Sequence, residues 1–306
     1  LDTLQKFMFE NSLVRGELIE ISDAWQQVLA RRTYPPAVGA MLGEMMAAAA
    51  LLSANLKFDG TIIMQIHGDG PVQLLVVECD AALRLRATAK LSEGAAVDEQ
   101  ASLQQLVNAH GEGRFAITLD PADKKPGQQA YQGIVALEGE SVATVIENYM
   151  MRSEQLDTRL WLAADDKVAR GLLLQKLPGD GGKTIALADT DVWNRTVTLA
   201  STLNTQELLS TDIMTLLQRL YWEETVRVFD PRHPSFHCSC TREKVGNMLK
   251  MLGREEIDSA LSELGKLDVN CDFCGQDYLF DPVDCMQLFA LDTIADAVQL
   301  PENRQH

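Results

Sequence analysis

The sequence predicts an α+β fold: an N-terminal sheet domain covered by helices, a partly helical linker, and a small C-terminal unit built around four cysteines. Three observations carry this. Short β-rich runs follow one another in clusters separated by helical stretches, without the strict strand–helix alternation of a parallel sheet. The composition changes at Pro178, where PGDGGKT breaks the pattern. Cysteines then stand in two close pairs, Cys238-Ser239-Cys240 and Cys271-Asp272-Phe273-Cys274, with 30 residues between them.

The elements follow in order. Val14, Gly16, Leu18 and Ile21 read as an early strand, and Ser22 as the cap of a helix running through Arg31. AVGAMLGEMMAAAALLSA, residues 37–54, is long and apolar, but Glu44 interrupts it, Pro35 and Pro36 start it, and alanine dominates. A buried helix of a soluble protein fits better than a membrane span. TIIMQIHG, PVQLLVVECD after the Gly68-Asp69-Gly70 turn, and LRLRATAK form a meander of consecutive strands. RFAITLD (114–120) and YQGIVAL (131–137) read as a further strand pair, Ser141 to Arg152 as a helix, and Leu156 to Ala163 and Ala169 to Leu177 as closing strands. The core domain is expected over residues 1–178.

Residues 179–237 read as a linker, polar through Asn204 with only scattered apolar residues. Asn204 with Glu207 three positions on begins a helix whose Leu209, Ile213, Leu216, Leu217 and Leu220 share one face. An aromatic, proline-containing stretch follows, with Tyr221, Trp222, Phe229 and Phe236. In the last unit, 238–292, Thr241 to Leu252 and Glu255 to Leu264 read as two short helices stopped by Gly253 and Gly265. KLDVN leads into the second cysteine pair and DYLF returns from it. So small an apolar core needs a staple, and residues 293–306 form a tail.

Two close cysteine pairs joined by a helix-length spacer are how one chain offers four thiolates to a tetrahedral metal, for which zinc is the default occupant. Cys238, Cys240, Cys271 and Cys274 are therefore the candidate ligands of one Zn²⁺ per chain. C-x-C is tighter than structural zinc sites usually show, so a structural staple and a redox switch both remain open. Thiolates are the oxidisable form of cysteine, and vicinal pairs can close local disulfides. Cys79, ending the apolar VVEC, reads as a buried inert thiol, and Cys285 as lying outside the ligand set. His233 and His237 are near enough to substitute for a ligand, though four cysteines already suffice.

At 46% hydrophobic and 23% charged the chain is globular. A net charge of −17 opposes non-specific binding to nucleic acid or anionic membrane. The LDTLQKFMFENSLVRG start shows no secretory pattern, and the cysteine usage suits a reducing compartment, so a cytoplasmic protein is expected. LPGDGGKT (177–184) is a near miss for a phosphate-binding loop: Leu177 stands where the first glycine belongs, and a flexible linker explains the glycines better. No nucleophile-plus-base constellation stands out, so no enzymatic activity is expected.

Together with the cysteine spacing, the segments LKFDGTIIMQIHGDGPVQLLVVE, YQGIVALEGES, YMMRSEQLDT and GLLLQKLP resemble the heat-shock protein 33 (33 kDa chaperonin) family over about Val14 to Phe280. The resemblance implies a redox-regulated, ATP-independent holdase. In the reduced form the four cysteines would hold zinc. Oxidation with mild heat would join Cys238 with Cys240 and Cys271 with Cys274, release zinc and loosen the linker. The exposed apolar surface would then bind unfolding clients, typically as a homodimer.

Two rival readings are a zinc-ribbon nucleic-acid-binding protein and a thiol-disulfide oxidoreductase using Cys271 and Cys274. Between Arg254 and Asp284 nine acidic residues face two basic ones, Arg254 and Lys266, which leaves no basic stripe for phosphates. The C-x-x-C pair lies between strands rather than at a helix N-terminus, against the second rival.

Overall fold

The computed structural model describes residues 1–10, 12–56, 59–124, 129–178 and 191–297, with side chains as far as Phe289. The chain divides into two compact units, Leu1–His237 and Cys238–His306. It is a mixed helix-and-sheet protein, as the sequence predicts.

In the first unit, β1 (Thr3–Phe9) and β2 (Val14–Ile21) precede α1 (Asp23–Leu29) and α2 (Pro36–Ser53). The meander β3 (Gly60–His67), β4 (Val72–Asp80) and β5 (Arg84–Leu91) follows, then α3 (Leu103–Val107), β6 (Arg114–Pro121) and β7 (Tyr131–Ala136). After α4 (Val142–Tyr149) a π-helical turn, Met150–Glu154, leads to β8 (Thr158–Ala164) and β9 (Ala169–Lys176). Beyond residue 190 come α5 (Val192–Ala200), α6 (Thr205–Ser210), α7 (Ile213–Tyr221), β10 (Val226–Val228) and β11 (Ser235–Phe236).

Among the described residues of the first unit the strands form two sheets, ordered β10-β1-β2-β9-β8 and β11-β5-β4-β3-β6-β7. Neighbours are antiparallel except β11, which lies parallel to β5. The alanine-rich α2 packs against strands of both sheets, and this explains its composition. A helix with sheet on two sides is buried nearly all round, and small side chains let it approach both. At Gly43 a Cβ would stand 2.5 Å from that of Ala164 and 3.2 Å from the Trp25 ring, so no larger residue fits. The apolar length that could suit a membrane is thus spent inside the unit, with Leu42 and the run Met45–Leu51 wholly enclosed.

The other face of the first sheet carries a second core. Phe7, Phe9, Val14, Leu18, Leu172 and Leu174 project from β1, β2 and β9 against Val192, Leu208, Ile213, Leu216, Leu217, Leu220 and Tyr221 of α5–α7. Helices α5–α7, in the stretch that the sequence reads as a linker, therefore cover an apolar sheet face within the first unit.

Several expectations are corrected in detail. Residues 3–9, read from sequence without an element, form β1. Residues 192–200, read as polar linker, form α5, and a short α3 precedes β6. The single helix expected after Asn204 is two, because Thr211 turns extended and Asp212 starts α7 afresh, its carboxylate accepting from the amides of Met214 (3.1 Å) and Thr215 (3.0 Å). Asn204 caps α6 as expected, accepting from the Glu207 amide at 2.8 Å. Ser22 holds the cap position of α1 but makes no capping bond with its side chain. Asp2 does so instead, accepting from the amides of Ser22 (2.8 Å), Asp23 (2.7 Å) and Ala24 (2.8 Å). The helix expected to Arg152 gives way at Met150 to the π turn. Apart from Leu177 and Pro178, the LPGDGGKT stretch lies outside the described residues.

In the second unit α8 (Arg242–Leu252) and α9 (Arg254–Leu264) precede the hairpin of β12 (Leu267–Asn270) and β13 (Asp277–Phe280), and α10 (Pro282–Ala297) follows. Thr241 caps α8 by accepting from the Lys244 amide at 3.2 Å. Gly253 and Gly265 end the helices at φ 94° and 74°, where a side chain would be strained. The core of this unit is small: Leu249, Ile257, Leu267, Phe280 and Cys285 are its fully buried members.

Candidate metal centre

The four cysteines of the two pairs converge. Among the described residues they form the cluster able to hold a metal ion, their sulfurs all within 4.8 Å of one another. Cys238 Sγ lies 3.8 Å from Cys271 Sγ, and Cys240 Sγ 3.3 Å from Cys274 Sγ. Tetrahedral Zn–S bonds of about 2.3 Å require sulfur–sulfur edges of about 3.8 Å, so the donor set and its spacing fit zinc. None of the six cysteines is in a disulfide, so the four sulfurs are available to ligate as thiolates.

Local folding explains the convergence. The β12–β13 hairpin pairs Asn270 with Asp277, and the knuckle between them is closed by the Cys271 amide donating to Gln276 O at 2.9 Å and the Gly275 amide donating to Cys271 O at 2.8 Å. Gly275 takes φ 71°, which only glycine adopts without strain. The knuckle amides of Phe273 and Cys274 point at the Cys271 sulfur, and that of Gln276 at the Cys274 sulfur. Such N–H donors favour thiolates. The first pair is set by the turn into α8, where Lys244 Nζ donates to Ser239 O at 2.8 Å.

Without a cation this grouping works against ionisation. Burial raises the Cys271 thiol, and burial with the adjoining sulfurs pushes Cys274 up to about 12. A bound divalent cation reverses the sign, because its charge stabilises thiolates. The arrangement is thus a cradle that favours a metal over four bare anions.

The remaining cysteines stand apart. Cys79 is fully buried in the first unit, where burial pushes its thiol up to about 12, and it donates weakly to Asp80 O at 3.6 Å. Cys285 is buried in the small core on α10, its thiol raised by burial and then by Asp284, Asp281 and Asp258. His233 is engaged elsewhere, its Nδ1 2.9 Å from Asp2 O, and no histidine belongs to the cluster.

Two residues beside the site went unnoticed in the sequence. The Tyr278 hydroxyl donates to Cys240 Sγ at 3.2 Å, and that bond is the main cause holding the phenol up at about 12. Arg242 stacks its guanidinium 4.3 Å from the Phe280 ring centre, donates to Leu279 O at 2.6 Å and pairs with Asp284 at 2.8 Å. The only signal was the alternation of Tyr278 and Phe280 along DYLF, which puts both on one face of β13.

The model of the family described as "Hsp33 protein" matches residues 2–281. The 33 kDa chaperonin of Chromobacterium violaceum is 48% identical over 297 residues, covering 97% of this chain and 96% of that protein. That of Methylobacillus flagellatus is 47% identical over 294 residues, with 96% of each covered. The crystal structure of the 33 kDa chaperonin (heat shock protein 33 homolog) of Thermotoga maritima superposes with a TM-score of 0.77 over 95% of this chain and 99% of that one. At 19% identity it speaks to the fold alone. On the family match and the near-full-length identities, this chain belongs to the Hsp33 family and has a chaperone function.

Proposed function

We propose that this protein is an oxidation-activated, ATP-independent holdase of the cytoplasm, without enzymatic activity, that captures unfolding proteins and prevents their aggregation. One observation carries the reading: the apolar face of the first sheet is covered by α5–α7, helices of the linker that leads into the cysteine cluster. Lifting them bares Phe7, Phe9, Val14 and Leu18 on the sheet together with Ile213, Leu216, Leu217 and Tyr221 on the helices. Contiguous apolar surface of that kind binds non-native chains. Neither nucleic acid nor membrane is a proposed partner, and the family likeness alone supports a homodimer as the active state.

In the reduced protein Cys238, Cys240, Cys271 and Cys274 would hold one Zn²⁺. The ion supplies charge that keeps four thiolates together and staples a unit whose own core is small. Peroxide, one molecule for each cysteine pair, oxidises each pair in two steps. One cysteine sulfur attacks peroxide oxygen, the O–O bond breaks, hydroxide leaves and a sulfenic acid forms; the neighbouring cysteine then attacks that sulfur, the S–S bond forms and a second hydroxide leaves. Two electrons pass from the cysteine pair to peroxide. With Cys238 joined to Cys240 and Cys271 to Cys274, no thiolate remains as a ligand, and the staple is lost.

The test is zinc and free-thiol stoichiometry before and after peroxide with mild heat, beside an aggregation assay on a denatured client. The expected result is one zinc and six thiols per chain before treatment, four thiols fewer and no zinc after it, and suppression of aggregation only after it. Retention of zinc, or oxidation without gain of holdase activity, refutes the reading.

A further inference from the structure

Cys271 and Cys274 face other sulfurs and receive backbone N–H bonds from the knuckle, whereas Cys240 receives a bond from a side chain that is not a cysteine, the Tyr278 hydroxyl at 3.2 Å. Tyr278 is held well enough to act as a fixed donor. Its residue pairs with Val269 across the hairpin, its ring packs on the small core, and two residues on the same strand face places Phe280, 2% exposed, beneath the Arg242 guanidinium. The strand carrying the hydroxyl is therefore anchored from both sides.

A hydrogen bond to a thiolate withdraws electron density from the lone pairs that would attack an oxidant. We infer that Tyr278 is a positioning residue that brakes oxidation of Cys240, setting the oxidant threshold at which the first cysteine pair gives up its metal. This rests on the redox-switch reading of the same site. It adds that the threshold is held by a side chain outside the ligand set, and so can be tuned without altering a ligand.

The magnitude follows from general thiol chemistry. Loss of a charge-assisted hydrogen bond leaves the sulfur a stronger nucleophile. A rise of about three-fold in the rate of attack on peroxide is the expected scale.

The experiment compares full-length wild type with Tyr278→Phe, which keeps the ring and removes the donor. Peroxide-driven zinc release is followed with a chromophoric chelator, zinc affinity by chelator competition without oxidant, and the sulfur–metal charge-transfer band in the cobalt-substituted protein. Tyr278→Phe is expected to lose zinc to peroxide about three-fold faster, to bind zinc no more weakly than wild type without oxidant, so that faster release reports oxidation and not lost affinity, and to show the band shifted to lower energy. A merely structural role would not move that band in folded protein. Equal release rates with an unmoved band overturn the inference while leaving the redox reading standing. A wild type that keeps zinc under oxidant overturns the redox reading, and the brake with it.

Discussion

The ring of Tyr221, at the end of α7, meets that of Phe9 on β1 edge to face, with centroids 4.9 Å apart and planes at 88°. Phe7, on the same face of β1, joins the cluster 5.6 Å from Phe9 and 5.9 Å from Tyr221. Helix α7 is thus fastened to the first sheet by an aromatic cluster, with the Tyr221 hydroxyl donating to Thr196 O at 3.4 Å.

Removing that fastening should undock the linker without oxidation. Tyr221→Ala is expected to cost about 3–5 kcal/mol in the docking of α5–α7, the range for truncating a buried aromatic. Reduced, zinc-loaded protein should then bind a hydrophobic dye and suppress client aggregation. Wild-type dye binding in the reduced variant contradicts the covering role of the linker.

Ligand and bystander cysteines should separate cleanly. Cys240→Ser removes one of four soft donors, and its zinc affinity should fall by more than the roughly 10–100-fold expected for a change outside the ligand set. Cys285→Ser, buried on α10, should keep one zinc per chain. Metal analysis with chelator competition reads both, and zinc loss in Cys285→Ser alone would place that thiol in the site.

Glu44 on α2 is half-buried and faces two clefts, one lined by Leu160, Leu162, Leu203 and Leu208 and the other by Met41, Leu103, Glu99 and Glu140. Burial raises its carboxyl to about 7 from an ordinary 4.5. The folded state therefore holds the proton more tightly than the unfolded chain, and stability falls as pH rises from about 4.5 to 7. Glu44→Gln is expected to remove that slope and to stabilise the first unit at pH 8 by about 2 kcal/mol, less than the full shift because the group is partly solvated. Denaturant melts at pH 5 and pH 8 decide it; a gain at pH 5 as large as at pH 8 refutes the titration.

The cap supplied by Asp2 makes three amide bonds from 20 residues or more away. Asp2→Ala should destabilise the first unit by about 1–2 kcal/mol, whereas Ser22→Ala should do little through loss of its side-chain bond to Asp2. Chemical denaturation of both variants checks the assignment.

What the sequence by itself determined is local. The spacing of Cys238, Cys240, Cys271 and Cys274 named the members of the cluster, because metal ligation demands particular atoms at short separations along the chain. The β-rich runs of β3–β6, bounded by turn residues, and the glycine stops after α8 and α9 were legible for the same reason, as was the start of α6 at Asn204. Only the tertiary structure decided the rest. Asp2 capping α1, α2 lying between two sheets, and α5–α7 covering Phe7 and Phe9 all depend on partners far apart in sequence, whose pairing leaves no local periodicity. The same holds within the last unit: that Tyr278 reaches Cys240 follows from the hairpin register folding back on the first cysteine pair, 38 residues away. Composition shows that a tyrosine is present; packing alone gives its hydroxyl a sulfur to restrain.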